Sequence, residues 1–312
     1  MTVESTPTKL APSMLPDGVD FDVKDSSFFT RCSELPSPTA VQAQAESQRL
    51  AGFSPDPREL HSPQNFVRPP PVLFKNLGLL VKWGSDVSTV EGQVLYAIGK
   101  LLKGKVPVPE VYGWRTDGDV QYIYMEHIEG QTLQQTWNTL EADDRTSVCL
   151  QLRNIVDSLR ELIQDPSDPF VGNISKGPLH DRSLGMPCLP DEGPFPSVKE
   201  FHDWFAFIPR RRMADPYSIP MEPFRDDLPD DCAIKFTHSD LHRTNIMISP
   251  QRPYRVMALI DWEQSGWFPE YWLGRRVGVY ATVMSGLRFI SLVFSSSMTL
   301  HASLKGAGIL WL

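Results

Sequence analysis

Proline divides this chain before any other feature does. Residues 1–71 hold 11 of the 28 prolines, residues 165–230 hold 12, and only 5 fall elsewhere. A ring that fixes φ and removes an amide donor keeps long regular elements out of such stretches. Most of the continuous helix and sheet is therefore expected from residues 72–164 and from the chain beyond 230. With 312 residues, 41% of them hydrophobic, the chain has enough apolar material for about two domains at roughly 150 residues each.

The first window reads as strand, helix, strand, strand. VLFK (72–75) and LLVKW (79–83) flank Asn76, Leu77 and Gly78, the pattern of two strands joined by a tight turn. Val87, Val90, Val94, Leu95, Ile98, Leu101 and Leu102 recur at helical spacing until Gly104 and Pro107 stop them. VPVPEVYGW and VQYIYMEHI follow as extended segments. From Leu140 to Ile163 the apolar positions predict one long amphipathic helix. VKEFHDWFAFI predicts a shorter one capped by Ser197. VMALI (256–260) reads as a buried strand that delivers Asp261 at its end. Residues 1 to about 35 read as a loose leader, with a short helix in TAVQAQAESQRLAGF after Ser37 and Pro38.

Composition removes several classes of function. Lys plus Arg number 30 against 38 Asp plus Glu, and a net charge of −8 argues against a nucleic-acid partner. The four cysteines lie far apart without CxxC spacing, so neither a zinc site nor a disulfide framework is expected. No apolar leader or membrane span is expected, which implies a cytoplasmic protein without a membrane partner. Neither GxGxxG nor GxxxxGK[ST] occurs, which disfavours a Rossmann site and a Walker loop.

Two segments carry chemistry: HSDLHRTN (238–245) and LIDWE (259–263). Asp240 and Asn245 are close enough to share one loop, and Asp261 follows 16 residues after Asn245 at the end of the apolar run. Taken singly, Asp and Asn most often bond nearby backbone in turns. Taken together, they match what phosphoryl transfer requires: one carboxylate on the acceptor hydroxyl, with an amide oxygen and a second carboxylate on magnesium.

These two segments resemble the aminoglycoside phosphotransferase and choline kinase family. Further resemblance lies in VKWG around Lys82, the helix carrying Glu91, PVPEVYGW, YIYMEHIEGQTL and GWFPEYW, so that residues 65–273 are covered. The resemblance implies an α+β, protein-kinase-like two-lobe fold, with a small mixed N-lobe containing an antiparallel sheet and a larger, mainly helical C-lobe. It implies ATP and Mg2+ as cofactors, a small-molecule hydroxyl as acceptor, Asp240 as base, and Asn245 and Asp261 as magnesium ligands. It also places Glu126 and Ile128 on the link between lobes, where backbone groups would hold adenine. The only candidate for a phosphate-covering loop is the turn from Lys75 to Gly78.

Lys82 is a lone charge in an apolar strand and can reach ATP phosphates if a glutamate holds it. Glu91 has two readings. Ser88-Thr89-Val90-Glu91 spells a capping box, whereas Glu91 lies four residues from Val87 and from Leu95, on the buried stripe where a partner for Lys82 is wanted. The second reading is favoured. Arg210, Arg211 and Arg212 read as a solvated basic patch.

The expected organisation is a largely irregular leader (1–60), an N-lobe (61–128), a C-lobe (129–273) and an atypical apolar tail (274–312). Between Val277 and Leu312 only Arg288 and Lys305 carry fixed charge, a departure from the family's usual ending for which an incomplete C-lobe is one expectation. A divergent helix pair, a membrane-surface segment and an altered ending all remain open, the last being favoured. The leading expectation is a Mg-ATP-dependent small-molecule phosphotransferase. The alternative is an inactive, nucleotide-binding or scaffold protein of the same fold. A protein kinase is disfavoured because no activation loop or APE-like segment follows Trp262.

Overall fold

The computed structural model describes residues 7–55, 69–180, 193–210, 225–272 and four isolated positions between 213 and 218. Arg211, Arg212 and the tail from 274 onward lie outside the described residues. Two compact units are present: a first formed by Ser13–Gln151 with His242–Glu263, and a second formed by Met1–Pro12, Leu152–Leu241 and Gln264–Leu312.

In chain order the elements are β1 (Thr8–Lys9), β2 (Phe21–Asp22), α1 (Pro38–Leu50), β3 (Val72–Phe74), β4 (Leu79–Gly84), α2 (Thr89–Leu101), β5 (Val111–Asp117), β6 (Val120–Glu126), β7 (Gln131–Thr132), α3 (Leu133–Thr136), α4 (Ala142–Leu159), β8 (Leu162–Ile163), α5 (Val198–Phe207), β9 (Ile234–Thr237), β10 (Ile246–Ile248), β11 (Val256–Leu259) and β12 (Gly266–Pro269). The fold is α+β. The two strands, the helix and the two further extended segments expected from 72 to 128 are present as β3, β4, α2, β5 and β6.

In the first unit a five-stranded antiparallel sheet runs in the order β2-β5-β6-β4-β3. Alternation along β4 sends Leu79 and Val81 into a core with Phe28, Leu35, Val41, Tyr112, Tyr122 and Tyr124. Lys82 points to the other face, where α2 packs so closely that a Cβ on Gly92 would lie 2.9 Å from the Trp114 ring. The turn between β3 and β4 closes on Gly78 at φ +60°, a conformation glycine adopts without steric cost. A three-stranded antiparallel sheet, β11-β10-β7, completes this unit.

The segment read as a loose leader is largely irregular in backbone but well attached. β2 pairs with β5, the Trp114 Nε1–H donates to Gly18 O at 2.8 Å, and Arg115 bonds Phe21 O at 3.0 Å and the Asp22 carboxylate at 2.5 Å. Phe28 is fully buried. Its apolar residues are scattered without a period, so the sequence shows no element; they gain order from the partners that β5 supplies. Helix α1 lies where expected, its Ser37 cap accepting from Ala40 N–H. It also closes the opposite sheet edge. On β3 the Leu73 N–H donates to Gln48 Oε1 at 2.7 Å and Leu73 O accepts from Gln44 Nε2 at 3.2 Å, while Gln48 Nε2 donates to Pro71 O.

Gly113 faces β2 at its closest approach: a Cβ there would lie 2.3 Å from Phe21 O. Gly113→Ala must therefore push β2 off the sheet, at about 2–3 kcal/mol. Denaturant unfolding reads this as a lowered midpoint, and an unchanged midpoint would contradict the docking of the leader.

In the second unit β9 pairs with β12, and β1 pairs in parallel with β8. The latter corrects the helix expected from 140 to 163. α4 stops at Leu159, and Leu162–Ile163 turn to strand because Thr8 N–H and Leu10 N–H donate to Glu161 O and Ile163 O, at 3.1 and 2.9 Å. Helical spacing alone cannot register a distant strand that competes for these carbonyls. α5 begins at the predicted Ser197 cap and packs Phe201 and Phe205 against Phe195, Phe268 and Trp272. Buried His202 on α5 joins Asp230 (2.8 Å) and Tyr271 (2.6 Å), and Arg225 bridges Asp230 and Asp203. No helix among the described residues is long and apolar enough to cross a membrane.

Candidate active site

Lys82 occupies the middle of β4, opposite Ile123 of β6. Its Nζ lies 2.6 Å from Glu91 Oε2, 2.7 Å from Asp261 Oδ1 and 3.0 Å from Glu263 Oε2. Each carboxylate is placed by local structure. α2 starts at Thr89 because Ser88 Oγ accepts from Val90 N–H, so Glu91 falls in the first turn. Its carboxylate does not turn back to the cap; Oε2 takes Lys82 and Oε1 accepts the Trp262 N–H at 3.2 Å. The ion-pair reading of Glu91 is thus the one observed.

Asp261 is carried by β11. Leu259 N–H donates to Pro107 O at 2.9 Å, and Ile260 N–H donates to Asn245 O at 3.0 Å. The chain then turns sharply at Asp261, φ +65°, into a 3-10 turn over Trp262–Gln264 that brings Glu263 back to Lys82. Non-glycine residues in this conformation are uncommon and mark positions that the surroundings hold firmly. Pairing of Ile246 with Leu259 sets buried Asn245 beside the end of β11. Lys82, Glu91 and Asp261 therefore meet within the first unit, and the Asn245 backbone is tied to Ile260, the residue before Asp261.

Asp240 belongs to the second unit, one residue before its border at Leu241. Its N–H donates to Nδ1 of buried His238 at 3.3 Å, and Ser239 before it has φ +64°. Glu126 ends β6, paired with Leu79, three ladder positions or about 10 Å from the register of Lys82. Its N–H donates to Glu110 O, and His127 N–H donates to Gly78 O. Ile128 follows, half-buried.

Glu263 was not singled out by sequence reasoning. The available signal was its spacing: a second acid two residues after Asp261, with buried Trp262 between them, shares the first acid's face of a tight turn. Three carboxylates face one ammonium, and Glu91 is only 2% exposed. Burial drives the Glu91 carboxyl above its ordinary range; Lys82 pulls it back, and Asp261 and Glu263 push it further up. A carboxyl raised in the folded state stabilises the fold below its unfolded value and loses that contribution as pH rises through the folded one. At neutral pH the cluster carries surplus negative charge. Glu91, Asp261 and Glu263 each offer an oxygen within 4.8 Å of the others. An all-oxygen, anionic donor set suits a hard divalent cation such as Mg2+.

Lys82→Met leaves these carboxylates facing one another, and a loss of about 3 kcal/mol at neutral pH is expected. The loss should shrink as pH falls, because protonation relieves the repulsion. Unfolding at pH 7 with a wild-type midpoint would reject this electrostatic account.

The model of the phosphotransferase enzyme family matches residues 91–271. The match starts at Glu91, nine residues after Lys82, and includes Asp240, Asn245, Asp261 and Glu263. Among curated proteins none matches. The chain is similar to the solved structure of aminoglycoside phosphotransferase APH(4)-Ia, at 14% identity over 69% of this chain and 76% of that one, TM-score 0.40. It is also similar to the streptomycin-ATP-APH(2")-IIa ternary complex, at 12% identity over 68% and 67%, TM-score 0.42. For aminoglycoside-3'-phosphotransferase of type VIII the values are 17%, 69%, 83% and 0.36. The family match spans more than half of the chain and contains its carboxylate cluster: the protein belongs to the phosphotransferase enzyme family.

Proposed function

We propose that this protein is a Mg-ATP-dependent kinase of a small-molecule hydroxyl, acting in the cytoplasm. The observation that carries the reading is the convergence of Lys82, Glu91 and Asp261, from three separate segments, with Asn245 tied to Ile260. Lys82 would bind nucleotide phosphate oxygens, with Glu91 holding its ammonium in place. Asn245 and Asp261 would hold Mg2+, and Glu263 lies close enough to add a further carboxylate. Bound magnesium supplies neutralisation of the charge that develops on the phosphates. Glu126 and Ile128 would offer backbone groups to adenine. Asp240 would orient the acceptor hydroxyl and take its proton as that oxygen bonds the γ-phosphorus and the β–γ bridge breaks, with ADP leaving.

The net charge of −8 makes cationic acceptors such as amino sugars and choline the first candidates. The test is ADP release by the full-length protein across a panel of hydroxyl compounds. Acceptor-dependent and magnesium-dependent release supports the reading. Magnesium-dependent ATP binding without transfer to any acceptor, neutral or charged, supports the nucleotide-binding alternative instead.

A further inference from the structure

Arg145, Arg243 and Trp137 meet in the first unit, outside the Lys82 cluster. Arg145 stands in the first turn of α4, and Arg243 opens the 3-10 turn Arg243–Asn245. The guanidinium carbon of each lies 5.3 Å from the centre of the Trp137 ring, and all three side chains are half-buried. Arg145 commits its Nε to Trp137 O at 3.1 Å and one terminal nitrogen to Asn138 O at 3.5 Å, both neutral acceptors. Arg243 makes no hydrogen bond or ion pair with any described residue, and its contact with Trp137 is a cation–π one. Of the carboxylates just before Arg145, Glu141 and Asp144 bind Arg252 instead, at 2.9 and 2.5 Å, and Asp143 is exposed.

Attraction to the ring quadrupole explains either arginine alone. It does not explain two like charges on one indole with no carboxylate between them among the described residues. An oxyanion with two charges would relieve the repulsion between the two guanidinium groups, and the planar guanidinium fork matches phosphate oxygens.

We propose that Arg145, Arg243 and Trp137 form a binding site for a small phosphate, either free inorganic phosphate or the phosphate group of a monoester. The site uses none of the Lys82-cluster side chains and does not depend on the kinase reading.

The test is calorimetric titration and thermal melting of the full-length, nucleotide-free protein with sodium phosphate, glycerol 3-phosphate and, at matched ionic strength, sodium chloride. Wild type, Arg145→Ala, Arg243→Ala and Lys82→Met are compared. Saturable stabilisation by phosphate is expected in wild type and in Lys82→Met, with affinity about tenfold weaker in either arginine variant, the loss of one charge-assisted contact. Tighter binding of the ester would identify the monoester as the ligand, and tighter binding of the free ion would identify inorganic phosphate.

Four results would overturn the site: no phosphate response in wild type, a response equal to that of chloride, one of undiminished affinity in Arg243→Ala, or one abolished by Lys82→Met. Arginine variants that lose stability while keeping the phosphate response would reduce the trio to packing. Should Arg243→Ala fail to fold, Arg243→Lys keeps the charge without the fork. A weakened response there supports the site, and an undiminished one refutes it.

Discussion

Asp240→Asn is expected to lower turnover by about a thousandfold or more while leaving Mg-ATP affinity within about twofold of wild type. The asymmetry follows from the role proposed for the carboxylate, which takes a proton from the acceptor and touches neither nucleotide nor metal. Asparagine keeps the size of the side chain. It also keeps the backbone N–H that donates to His238, so the loop after Ser239 is not disturbed. What it removes is a base. ADP release with a saturating acceptor, beside nucleotide titration, separates the two effects. Turnover equal to wild type would take Asp240 out of the mechanism, and a collapse of nucleotide affinity would move it to the metal side.

Asp261→Asn should show the opposite pattern. Nucleotide affinity in the presence of magnesium is expected to fall about 10–100-fold, with little change in its absence. Asn tolerates φ +65° better than most residues, so the turn after β11 survives and the loss reads as chemistry rather than misfolding. The substitution removes one of the three anions on Lys82, which leaves the lysine still paired with Glu91 and Glu263. Thermal melting with ATP, with and without magnesium, measures the effect. Unchanged magnesium-dependent stabilisation would exclude Asp261 as a ligand.

The legible parts of this chain are those where one local rule decides. Period-two alternation in LLVKW, a turn at Gly78 and an apolar run cut short at Asp261 each specify an element without outside help. Lys82 and Asp261 were legible for a related reason: a charge in an apolar strand, or at its end, needs a partner. Other features depend on contacts that local sequence does not record. Leu162 and Ile163 continue a helical stripe, yet β1 captures them as a strand. Phe21 and Phe28 have no period and become ordered through β5 and the sheet core. Glu263 joins the cluster only because the 3-10 turn after Asp261 folds back on Lys82. The residues on Trp137 went unremarked because Arg145 and Arg243 are far apart in sequence, and neither stands out alone.

The N-terminal segment finishes both sides of the five-stranded sheet, β2 along β5 and the glutamines of α1 along β3. Its two ends thus act as stoppers on one ribbon. A sheet missing a single stopper can pair with one other copy and halt there. Without both, every copy would offer a donor edge and an acceptor edge, and head-to-tail addition would have no natural end point. Residues 18–50 thus guard both edges of this sheet while contributing none of the side chains described around Lys82, a role in limiting edge-to-edge association rather than in the site.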